Sequence, residues 1–130
     1  MPTIDAQNIL AFRKGIRTDT AATDSLALDL PVSGSGGLII DSVVVYNASA
    51  SGATATIGVF TGAGGTGTTV VADAALTGVT GPTIVSARTV AAGGTFGAGS
   101  IPDQLFVRTG TASGTAGTTI DVVIYGRLLP

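Results

Sequence analysis

The chain contains no Cys, no His, no Trp and no Glu, and its single Lys is Lys14. Without His and Cys, the side chains that most often serve as nucleophile, general base or soft metal ligand are missing, and acid–base work would fall to Asp or Lys14 alone. All eight acids are Asp, spread widely along the chain, so they offer neither a paired-carboxylate site nor an Asp-x-Asp calcium loop. A calcium site made of loop carbonyls leaves no such signature and stays open. The expectation is a non-enzyme with no cofactor.

The other absences act the same way. No cysteine means no disulfide, which fits a reducing compartment. The helix formers Glu, Lys and Gln are nearly missing, so long solvent-facing helices are not expected. Six basic residues stand against eight acidic ones, and only Arg13, Lys14 and Arg17 lie close together. No basic stripe follows a phosphate backbone, and nucleic acid is not an expected partner. Residues Met1–Asn8 lack the basic-then-apolar pattern of an export signal, and no run of about twenty apolar residues follows. A soluble chain made in the cytoplasm, with no membrane partner, is expected.

What is present is small and β-prone. Gly, Ala, Thr and Ser make up roughly half of 130 residues, and 45% hydrophobic content with 11% charge places the chain among ordered globular domains. The aromatics are two Tyr and four Phe, so the core is expected to be thin. Oligomerisation or docking on a larger body would supply further burial.

Residues 1–24 read as a polar N-terminal arm, or as one or two helical turns over Ala6–Lys14 with Asp5 as N-cap and Gly15 as stop. From Ser25 the period changes to two. Leu26, Leu28, Leu30 and Val32 mark a strand with Pro31 best placed at an edge, and Ser33–Gly37 a turn. Leu38–Ala48 is the strongest strand signal, its near-continuous apolar run predicting a central strand covered on both faces. Strands are also expected over Ala53–Thr61, Thr68–Ala72 and Thr83–Val90, with Gln104–Thr109 and Thr118–Leu129 forming a last pair. Asp73–Leu76 reads as a helical turn and Gly93–Gly99 as a flexible segment. About seven or eight short strands between Gly-rich turns indicate an all-β antiparallel sandwich of jelly-roll type over residues 25–130.

Gly62-Ala-Gly64-Gly65-Thr-Gly67 matches the dinucleotide fingerprint in form. Thr68-Thr-Val-Val follows it where a helix is required, so it reads as a turn. Asn47-Ala-Ser49 reads as a strand end, and Asp41 and Asp121 as solvated outward residues. Tyr46, Tyr125, Phe60, Phe96 and Phe106 are expected in core or interface packing, with a carbohydrate platform as the alternative. Ile4, Ile9, Leu10, Phe12, Arg13, Lys14 and Arg17 are the candidate partner contact, because a polar arm gains nothing from apolar residues unless they dock.

At Leu38–Ser49, Gly58–Gly65, Leu105–Thr109 and Ile120–Leu129 the chain resembles the small β-sandwich head decoration (cement) proteins of tailed bacteriophages. The resemblance covers residues 25–130 and is one of strand order and texture. It implies a structural virion protein, often a homotrimer, on the outer capsid surface and bound to the major capsid protein. A tail- or head-fibre module, or a receptor- or carbohydrate-binding sandwich, is the alternative.

Overall fold

The computed structural model of the chain describes residues 8–27 and 36–129. Within them run β1 (Asn8–Arg17), β2 (Thr23–Ala27), β3 (Gly37–Tyr46), β4 (Thr56–Phe60), β5 (Thr69–Ala75), β6 (Ser86–Arg88), β7 (Thr95–Gly97), β8 (Gln104–Thr111) and β9 (Thr119–Leu129). They form two antiparallel sheets. One has five strands in the order β1-β9-β3-β6, with β7 also on β3; the other has four, in the order β2-β8-β4-β5. The expected all-β sandwich is the observed architecture. Its pairings are nested: β4 with β5, then β3 with β6 and β7, then β2 with β8, then β1 with β9. Because of this nesting β8 and β9 lie in opposite sheets and are not a hairpin pair.

The core lies between the sheets. Leu10 and Ile16 of β1, Ile120, Val122 and Ile124 of β9, and Leu38, Ile40, Val43 and Val45 of β3 are buried in one cluster with Ile57, Val59, Leu105 and Val107 of the second sheet. In β3 the inward positions change from even to odd numbers. The cause is an irregularity between Ile40 and Ser42, where one extra residue resets the alternation. Asp41 sits at that break and pairs with Arg127 at 3.1 Å. Gly126 lets β9 run closely between its neighbours, since a Cβ there would collide with the Ile39 carbonyl oxygen and the Leu10 side chain.

Several expectations change. Asn8–Arg17 is neither an arm nor a helical turn: it is an edge strand antiparallel to β9, so the sandwich already includes residues assigned to the arm. The register shifts between Ile9 and Ala11 and between Arg13 and Ile16, the second spanning Gly15 at φ 72. Each shift breaks strict alternation, and the strand signal is lost from the sequence. β5 continues to Ala75 where a helical turn was expected. Thr95–Gly97, inside the expected flexible segment, pairs with β3 and buries Phe96 opposite Leu38. The strand expected over Thr83–Val90 shortens to Ser86–Arg88. Leu28, Leu30, Pro31, Val32 and most of the Ser33–Gly37 turn lie outside the described residues.

Side chains tie the ends of the sandwich. Arg88 of β6 donates to the carbonyls of Ala74 and Ala75 at 3.4 and 2.9 Å, joining the edges of the two sheets. After β1, Asp19 accepts from Arg17 Nε at 2.9 Å and Nη2 at 2.6 Å, and from the Gly117 backbone N–H at 2.6 Å. The Arg17 hydrogen bonds, then the one from Gly117, hold its carboxyl well below the usual carboxylate range. A carboxylate depressed in the folded state stabilises fully above its unfolded pKa, near 3.9, and the contribution is lost as pH falls toward the folded value. Asp19→Asn is therefore expected to lower the melting temperature at pH 7 and to flatten its decline from about pH 5 to pH 2. An acid limb identical to the parent's would remove Asp19 as a clamp.

Candidate functional site: an apolar outer sheet face

The five-stranded sheet is apolar on both faces, and only the inner one is covered by the second sheet. β3 and β9 carry Val-Val-Val-Tyr46 and Asp121-Val-Val-Ile-Tyr125, so the outward positions Val44, Tyr46, Val123 and Tyr125 are apolar or aromatic, with the polar Ser42 and Asp121 beside them. Register aligns these side chains. Phe12, Val123 and Val44 stand side by side across β1, β9 and β3, while Ile9 opposes Tyr125, and Tyr46 opposes Asp121. With Val85, just before β6, all of these except Asp121 line a shallow groove of about 470 Å³, with Lys14 among its lining side chains. Phe12 is 59% exposed, Ile9 52% and Val85 70%, whereas Val123, at 6%, forms the floor.

One end of the groove is fixed by polar bonds. Asp121 is 5% exposed. Its Oδ1 accepts from the Gly15 N–H and its Oδ2 from Asn47 Nδ2, each at 2.9 Å. Asn47 ends β3 at φ 53, the left-handed turn geometry that Asn tolerates. The expectation of a solvated Asp121 is thus corrected: this carboxylate pins the irregularity in β1 to the end of β3, and so sets where Lys14 emerges. The Asn47 reading as a structural strand end agrees with this geometry.

The candidate contact residues separate. Ile9, Phe12 and Lys14 come together on the groove. Leu10 is 1% exposed and belongs to the core, which removes it as a contact. Arg13 turns toward β2, 3.6 Å from Asp24, and Arg17 is held by Asp19, so neither joins the groove. Ile4 lies outside the described residues. Val44, Val85 and Val123 were missed, and Tyr46 and Tyr125 were singled out only as aromatics. Their signal was present in the apolar runs of β3 and β9, where burial on both sides and an uncovered face produce the same pattern. The placement of β3 is corrected accordingly, since it is central in its sheet but covered on one face. Phe96 packs in the core, whereas Phe60, though 6% exposed, lies outside the core cluster, on the other face of β4 beside Gly58 and opposite Phe106.

The glycine-rich stretch makes a short turn between β4 and β5, with Gly64, Gly65 and Gly67 at positive φ, and no helix N-terminus follows it. Among the described residues no three acidic side chains cluster as a metal site, and no helix is long and apolar enough to cross a membrane. Comparison with protein-family models, curated proteins and solved structures returns no significant match to this chain. The face is therefore read from its own chemistry.

Proposed function

We propose that this chain is a structural assembly protein that docks through the outer face of its five-stranded sheet, and that the assembly is the head of a tailed phage, which it decorates from outside. The observation that carries the reading is the exposed Phe12, Ile9 and Val85 standing around a Val123 floor beside Val44, on a sandwich whose other large apolar side chains are mostly buried. Exposed contiguous apolar area of this kind marks interaction surfaces. The side-chain inventory supports a scaffold over a catalyst, and the nested strand pairing supports the jelly-roll-like winding expected from the strand pattern. The exposed groove is only a fraction of the about 800 Å² that one partner contributes to a standard two-protein interface. A contact of that size suits a protein repeated on a lattice, and the implied homotrimer would multiply it through avidity.

The test is rebinding. Heads assembled without this chain are mixed with purified protein and sedimented, and bound copies are counted. Saturation at a fixed ratio to the major capsid subunit is expected; absence of binding by a folded, monodisperse sample contradicts the reading. The half-buried tyrosines favour one second reading, a glycan- or receptor-binding module of a fibre. Selective binding on a glycan array, abolished by Tyr125→Ala, would support it.

A further inference from the structure

Lys14 is the one cation left without a partner among the described residues. Arg13, Arg17, Arg108 and Arg127 form ion pairs with Asp24, Asp19, Asp73 and Asp41, and Arg88 bonds to backbone carbonyls and Ser86. Lys14 makes none of these contacts and lines the apolar groove beside Phe12 and Tyr46. The nearest acid along the register, Asp121, has both carboxylate oxygens engaged by Gly15 and Asn47. The groove thus offers an apolar floor and one uncompensated positive charge.

Resting on the docking reading above, we infer that the surface received by this groove is a protein surface with an apolar centre and a carboxylate placed opposite Lys14. Burying the ammonium stem against apolar side chains without an acid would leave a poorly solvated charge, so a partner lacking the acid binds less well. The charge also argues against a second copy as occupant. Among the described acids of this chain, all but Asp103 are ion-paired or hydrogen-bonded, and Asp103 precedes β8, in the other sheet. Two copies meeting face to face would bring two Lys14 side chains and no free described acid from that sheet. On a phage head the occupant is the exposed surface of the major capsid subunit.

The experiment is the same rebinding to heads assembled without the chain, at about 20 to 500 mM NaCl, with the parent, Lys14→Met, Lys14→Glu and Phe12→Asp, each first shown to melt like the parent. A rim charge facing an acid contributes modestly to affinity and strongly to its salt dependence, whereas a reversed charge is repelled. Lys14→Met is expected to bind about three- to tenfold more weakly at low salt, with a flatter salt dependence, and Lys14→Glu about a hundredfold more weakly. Parent-like binding by Lys14→Glu together with loss of binding by Phe12→Asp would overturn the carboxylate and leave the docking face standing. Parent-like binding by Phe12→Asp would overturn the face itself, and no binding by the parent would overturn the function. Self-association of the free parent that Phe12→Asp abolishes would make this face an interface between copies and overturn the inference.

Discussion

Deleting Met1–Thr20 unfolds this protein. That deletion would spare the sandwich if the N-terminus were an arm, but it removes the whole of β1 and with it Leu10 and Ile16, which are 1% and 2% exposed. Each large aliphatic lost from a packed core costs about 2–5 kcal/mol, against a total stability of about 5–15 kcal/mol for a domain. The deletion also strips β9 of one of its two neighbours, exposing a long, apolar strand edge that invites aggregation. The expected outcome is a chain recovered mainly insoluble, or soluble with no cooperative thermal transition by circular dichroism. Leu10→Ala alone is expected to keep the fold and lose about 2–5 kcal/mol in chemical denaturation. A truncated protein that melts like the parent would show that β1 contributes no core.

The second large effect separates docking from folding. Phe12→Asp places a carboxylate on an outward position that is 59% exposed, so stability is expected to change by no more than about 0.5 kcal/mol. In the docked state the same group would be buried among Val123, Val44 and the partner's apolar surface with no donor to satisfy it. Aromatic anchors at the centre of an interface commonly cost about 2–4 kcal/mol when lost, a thirtyfold to thousandfold fall in affinity. Heads should therefore sediment without the variant at concentrations that saturate them with the parent. Retention of parent-like affinity would move the contact elsewhere on the sandwich.

The fold class was legible because most of the chain is locally consistent. Glycine-rich turns, the alternation in Ala55, Ile57 and Val59, and the apolar runs of β3 and β9 all point to strands in a sandwich. β1 was not legible, because two register shifts within ten residues scatter Ile9, Leu10, Phe12 and Ile16 across both faces. β7 escaped for a related reason: Phe96 is its only buried residue, and the flanking glycines read as a loop. The site was half legible. An unexplained group of apolar residues near the N-terminus did point to Ile9, Phe12 and Lys14, but the reason was different, since they lie on a strand and gain their partners from β9 and β3. Those partnerships depend on pairing first strand with last, a long-range fact that local periodicity does not encode. The role of Asp121 was hidden likewise, because its bonding partners Gly15 and Asn47 are remote in sequence.

The measurement that bears most directly on the decoration reading is the number of copies of this chain per major capsid subunit in purified particles, by quantitative mass spectrometry. A lattice-docked sandwich predicts hundreds of copies in a fixed ratio approaching parity with that subunit. A handful of copies, or none, would contradict it and leave the groove to a fibre, a spike or a partner outside the virion.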